Sequence, residues 1–165
     1  VAVAPDGSLV FSDSAGDVVY RADADGANVA LVTDTITYPN GLAFSADGTT
    51  LYVASWDTAI VHALSFDAAT GAYGAPTPAH DGTLNVDGIV PTATGALVLV
   101  TSTAGILTAD PTSPTTAALE LVPSRAIPLS ANAVFGDAAF GPSELYVTSL
   151  SRSSLYVVHT TLMAP

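Results

Sequence analysis

The sequence predicts an all-β fold, a β-propeller made of four blades, each a four-stranded antiparallel sheet. Three observations carry that expectation. One pattern occurs four times along the chain, its spacing is that of a propeller blade, and no segment shows helical periodicity. The four segments are "PDGSLVFSDSAGDVVYRAD" from Pro5, "ADGTTLYVASWDTAIVHALSFD" from Ala46, "ATGALVLVTSTAGILTAD" from Ala93 and "GPSELYVTSLSRSSLYVVHT" from Gly141. Each reads as a turn, a strand, a short polar break and a second strand. The equivalent leucines, Leu9, Leu51, Leu97 and Leu145, lie 42, 46 and 48 residues apart. A β-sandwich also has short strands and regular turns, but it gives no reason for a sequence to repeat itself.

Taken in order, the blades span about 1–34, 35–80, 81–123 and 124–162 of a single domain. The first opens on the apolar stretch Val1–Ala4 and closes on a fourth strand at Asn28–Thr33. The second opens at Gly41–Ser45 and closes at Ala72–Pro78. The third opens at Gly88–Val90, carries an exposed Pro/Thr-rich connection over 110–118, and closes at Ala118–Val122. The fourth opens at Ala131–Gly136 and has no room for an outermost strand, since only Met163–Pro165 remain beyond Leu162. Val, Thr, Tyr and Ile fill the runs while Gly, Asp and Pro punctuate them.

Composition limits the function. With 165 residues and 49% hydrophobic content, the chain can bury a core and is not disordered. Its net charge of −12 sets 15 acidic residues against Arg21, Arg125 and Arg152, with no lysine. Nucleic acid and anionic membranes, which call for a basic footprint, are therefore excluded as partners, and cations suit the surface better. The absence of cysteine rules out disulfides and thiolate metal sites and leaves the redox compartment open. No apolar run approaches the roughly 20 residues of a membrane span. The start at Val1, without a signal-peptide pattern, suggests a processed or truncated product, with a secreted or periplasmic setting favoured over the cytoplasm.

Asn40 lies 11 residues before Leu51, in "YPNGLAF", and Asp87 lies 10 before Leu97, in "NVDGIVP". Each precedes a glycine and then an apolar strand. First strands line the channel of a propeller, so the repeat brings both to one mouth of that channel. Asn132, 13 before Leu145 in "SANAVFG", is a looser third member. The corresponding position of the first blade falls just ahead of Val1. A carboxylate with one or two amide carbonyls is a hard oxygen set suited to Ca²⁺ and also used by Mg²⁺ and Mn²⁺. Against this, Asn-Gly and Asp-Gly are ordinary turn dipeptides, as Asp6-Gly7, Asp25-Gly26, Asp47-Gly48 and Asp81-Gly82 illustrate. The matched register of Asn40 and Asp87 favours a site.

Other residues are weaker candidates. Trp56, in "ASWDT", could line the channel mouth and hold substrate or could pack between blades. His80 falls in a loop ahead of the Asp87 strand and could face the same mouth. His62 and His159 sit within strands and read as packing. No Gly-x-Ser-x-Gly elbow supports serine-hydrolase chemistry.

"YPNGLAFSADGTTLYVASW", "NVDGIV" and "ANAVFG" followed by "SELYVTS" resemble the senescence marker protein/gluconolactonase/luciferin-regenerating enzyme family of calcium-dependent six-bladed propellers. The three motifs fall in the family's order over essentially the whole chain. The resemblance implies that Asn40 and Asp87 are metal ligands and that Asp87 is also the general base in lactone hydrolysis. The cofactor would be a divalent metal, Ca²⁺ first, with Zn²⁺, Mn²⁺ or Mg²⁺ as alternatives. It also implies the last four blades of a six-bladed ring. The family's glutamate ligand and its Arg-x-Asn-Asp substrate segment have no counterpart in these residues, and "FGG" is "FGD" at Phe135–Asp137.

Two functions follow as expectations. One is a metal-dependent hydrolase of lactone or ester type acting on a small molecule, or the C-terminal portion of one. The other is a non-catalytic propeller serving as a binding or scaffold module. Either way, four blades of six-blade geometry leave two bare sheet faces. The chain is expected to be completed by an N-terminal segment, a second chain or another copy of itself.

Overall fold

The computed structural model describes residues 1–137, 139–151 and 153–165. Among them there is no helix, and sixteen strands form four antiparallel sheets. The first sheet runs β1 (Ala2–Val3), β2 (Leu9–Asp13), β3 (Val18–Ala22), β4 (Ala30–Thr33). The second runs β5 (Pro39–Phe44), β6 (Thr50–Ser55), β7 (Ile60–Asp67), β8 (Ala72–Tyr73), with β9 (Thr77–Asp81) also paired to β7. The third comprises β10 (Val86–Pro91), β11 (Leu97–Thr101), β12 (Gly105–Ala109) and β13 (Leu119–Pro123). The fourth holds β14 (Ser130–Phe135), β15 (Glu144–Ser149) and β16 (Ser154–His159), three strands among the described residues. Sheets pack in sequence order, β5 against β2, β10 against β5 and β6, and β14 against β10 and β11. This is a four-bladed β-propeller architecture.

Side-chain alternation explains the packing. Successive residues of a strand point to opposite faces, so a blade sandwiched between two others must be apolar on both. In β6, Leu51 and Val53 join a core with Val10 and Val19 of the first blade, while Tyr52 and Ala54 join another with Leu97 and Leu99 of the third. In β11 the remaining residues, Val98 and Val100, pack with Leu145 and Val147 of the fourth. The repeated leucines Leu51, Leu97 and Leu145 are fully buried, whereas Leu9, with no blade on its far side, is only half-buried.

The two end blades are apolar on faces that no other described residue covers. Val3 is 66% exposed and Leu31 57% on the first, and Val134 62%, Phe140 64% and Leu155 64% on the fourth.

Three sequence readings change. The outer edge of the second blade is shared by β8 and β9, so the expected strand at 72–78 splits around Gly74–Pro76 and extends to Asp81. His80 therefore lies in a strand, opposite Val61, rather than in a loop. His159, read as packed, is exposed at the end of β16, its Nδ1 3.3 Å from a carboxylate oxygen of Glu144.

Candidate functional site

All three inner strands that carry candidate ligands contain a one-residue bulge at the candidate. In β5 the pairing jumps from Pro39 opposite Ser55 to Leu42 opposite Val53, stepping over Asn40 and Gly41. In β10 it jumps from Val86 opposite Thr101 to Gly88 opposite Val100, stepping over Asp87. In β14 it jumps from Ser130 opposite Ser149 to Ala133 opposite Val147, stepping over Ala131 and Asn132. A bulge releases the extra residue from the ladder and re-aims its side chain. Here three bulges aim Asn40, Asp87 and Asn132 into one polar cavity of about 140 Å³, which Ser12 of β2 also lines.

A second repeated device sets where each bulged strand begins. Tyr38, Asn85 and Leu129, one residue ahead of β5, β10 and β14, all have left-handed backbone (φ of 45°, 56° and 50°). Their carbonyls accept hydrogen bonds from the backbone N–H groups of Trp56, Ser102 and Leu150, at 3.0, 3.2 and 3.0 Å. Two of the three are bulky residues that avoid this conformation, so the bend is imposed by the blade rather than by local preference.

Glycine lets the inner strands approach. A Cβ at Gly41 would stand 2.6 Å from the Asp87 carbonyl oxygen, and one at Gly88 would stand 2.7 Å from Asn132 Oδ1. The Asn-Gly and Asp-Gly pairs are thus not turn formers here. Their glycines make room for the inner strand of the next blade.

Burial pushes the Asp87 carboxyl above the ordinary carboxylate range, while a hydrogen-bonding contact with the Asn40 side chain works the other way. Neither ion pair among the described residues involves Asp87, so its charge is half-buried without a cationic partner. A divalent cation fits this donor set of one carboxylate and two carboxamides, hard oxygens facing a polar cavity that Ser12 also borders. The set carries a single charge, and among the described residues no three His, Cys, Asp or Glu converge as metal ligands.

The other candidates lie elsewhere. His80 is 1% exposed, its Nε2 2.8 Å from Thr83 Oγ1 and its Nδ1 without a hydrogen-bond partner. The Asp81 N–H bonded to the Pro114 carbonyl (2.8 Å) shows how the 110–118 connection folds over this strand. His80 is a buried blade residue and does not line the cavity. Trp56 is half-buried and also outside the cavity lining, and its backbone joins blades by accepting from Asn85 N–H at 3.1 Å. Ser12 was missed by sequence reasoning. Its signal is a serine at the position that the two middle blades fill with buried Ala54 and Val100.

A propeller with an oxygen-rich polar cavity where its inner strands meet is the class this geometry defines. The pattern of the SMP-30/gluconolactonase/LRE-like region matches residues 1–151, and the chain belongs to that family. Similar solved structures include the gluconolactonase XC5397 of Xanthomonas campestris, 25% identical with a TM-score of 0.74 over 99% of this chain and 55% of that one. Regucalcin of Agrobacterium tumefaciens, a calcium-binding protein, is 21% identical with a TM-score of 0.77 over 99% of this chain and 61% of that one. A luciferin-regenerating enzyme is 23% identical with a TM-score of 0.72 over 90% and 53%. The chain thus spans between half and two thirds of the length of these proteins. No curated protein sequence matches it.

Proposed function

We propose that the cavity bounded by Asn40, Asp87 and Asn132 is the reaction centre of a divalent-metal-dependent hydrolase acting on a lactone or related ester. The observation that supports this most is the triple bulge, which sets Asn40, Asp87 and Asn132, one from each of three blades, along the lining of one cavity. A bound divalent cation, Ca²⁺ first among the candidates, would supply polarisation of the substrate carbonyl and acidification of a water. Asn40 and Asn132 would hold it through carboxamide oxygens, and Asp87 through its carboxylate. Asp87 is also the group that takes the proton from the attacking water, since its carboxylate faces the cavity and its basicity is raised by burial. The name of the Xanthomonas relative points to a sugar lactone as the substrate class, and that of regucalcin to calcium.

Those relatives extend well beyond the part matched here. The bare faces of the first and fourth blades are where further propeller blades would pack, and we propose that such blades complete the ring and supply the additional acidic ligand.

The test is hydrolysis of glucono-δ-lactone followed by pH-stat with Ca²⁺, Mn²⁺ or Zn²⁺ added, comparing the protein with its ring completed and the same protein carrying Asp87→Ala. Metal-dependent hydrolysis that falls at least about 100-fold in Asp87→Ala is the expected result. A chain that binds metal at Asp87 and hydrolyses nothing is instead the non-catalytic binding module.

A further inference from the structure

We infer that Ser12 and Ser14 of the first blade clamp the bulged strand of the second, and that Ser12 is the positioning residue that sets Asn40 in the cavity. The bulge in β5 takes the stretch around Asn40 and Gly41 out of register with β6. Two carbonyls at this bulge are engaged by serine side chains of the preceding blade. Ser12 Oγ donates to the Asn40 carbonyl at 2.9 Å, and Ser14 Oγ donates to the Pro39 carbonyl at 2.7 Å. Both bonds cross from β2 and the residues just after it to β5, joining positions 28 and 25 residues apart.

The need for a clamp is physical. Asn40 sits within the bulge beside Gly41, and glycine has the widest backbone freedom of any residue. Gly41 cannot be exchanged for a stiffer residue, because the Asp87 carbonyl occupies the space its Cβ would need. Anchoring Asn40 by its own carbonyl fixes its orientation without using the carboxamide, which stays free to face Asp87 and the cavity.

The repeat shows that core packing does not call for this serine. Ser12 stands three residues after Leu9, and the corresponding residues of the middle blades are Ala54 and Val100, both fully buried. In the fourth blade the place is taken by Thr148, whose Oγ1 donates to the Asn132 carbonyl at 3.2 Å. A hydroxyl thus stands at this repeat position in the two end blades, and in each case it holds the backbone of a candidate ligand. Asn132 is held from within its own blade, and Asn40 from the blade before.

This inference builds on the proposed reaction centre, and its test has an arm that does not require metal. In the full ¹⁵N-labelled chain, the Asn40 side-chain NH₂ pair is followed without metal in the parent, Ser12→Ala and Ser12→Thr. The expected result is a shifted, exchange-protected pair in the parent, free-amide shifts in Ser12→Ala, and recovery in Ser12→Thr, with the thermal midpoint of Ser12→Ala lowered by only a few degrees. Calcium affinity should fall roughly five- to tenfold in Ser12→Ala, the effect of one lost hydrogen bond, and return in Ser12→Thr. An Asn40 pair unmoved by Ser12→Ala overturns the clamp. In the parent chain, the deuterium isotope effect of the Ser12 hydroxyl on the Asn40 carbonyl ¹³C shift reports the bond directly. Its absence overturns the inference even if a variant fails to fold. Failure of the parent to bind calcium defeats the metal-site reading alone and leaves the amide comparison to decide the clamp.

Discussion

Asp87, the proposed metal ligand, is kept at a cost in stability. Its carboxyl is raised above the ordinary range by burial, so the folded state disfavours the charge it carries near neutral pH. Asp87→Asn should therefore raise the melting temperature in chelator by a few degrees while removing calcium binding. A lowered melting temperature would show that the carboxylate is structural. His80 gives the complementary pH effect. Burial depresses its pKa below the ordinary 6.5, with Asp81 opposing, so the folded state binds this proton less readily than the unfolded chain. Its contribution to stability is complete above 6.5 and is lost as pH falls from there toward the depressed value, at up to about 1.4 kcal/mol per unit. His62, also depressed by burial, adds in the same direction. Melting curves between pH 7.5 and 5 should show this loss, and His80→Gln should reduce it. An equal loss in His80→Gln would assign the effect to other groups.

At the scale of the strand, bulge and bend act together, and both offer tests. Gly88→Ala places a methyl against Asn132 Oδ1 and against backbone atoms at 3.1 Å. Such overpacking costs about 1–3 kcal/mol and should weaken calcium binding as well, because the displaced atom is a proposed ligand. Leu129, exposed and left-handed, should behave in the opposite way. Leu129→Gly relieves a strained φ at little loss of burial, so urea unfolding should show a gain of about 1 kcal/mol. The repeating strands were legible in the sequence because alternation and the leucine spacing are direct imprints of blade packing. The meeting of Asn40 and Asp87 was legible for the same reason. The bulges were not, since spacings of 11, 10 and 13 residues do not reveal which residue leaves the ladder. His80 was misplaced because the expected strand stopped at Pro78, whereas an outer strand tolerates proline and continues to Asp81. Ser12 could be seen only against the buried residues of the other blades.

For residues 1–165 taken alone, the exposed faces of the end blades should govern behaviour in solution. Val3 and Leu31 on one end, and Val134, Phe140 and Leu155 on the other, are apolar surface of the kind that drives association. With only this chain present, a second copy is the available cover, so light scattering should give a mass above 16.5 kDa that rises with concentration. A monomer at all concentrations would contradict this. The proposed centre draws on three blades for one site, with a single charge among its candidate ligands, so the affinity for calcium should be weak, with a Kd on the order of 10⁻³ M. The most direct measurement is a calcium titration of the ¹⁵N-labelled chain followed by residue-resolved NMR. Asn40, Asp87 and Asn132 should shift together along one binding curve. No shift up to about 10 mM calcium, or shifts confined to exposed turn carboxylates such as Asp47 and Asp110, would contradict the site.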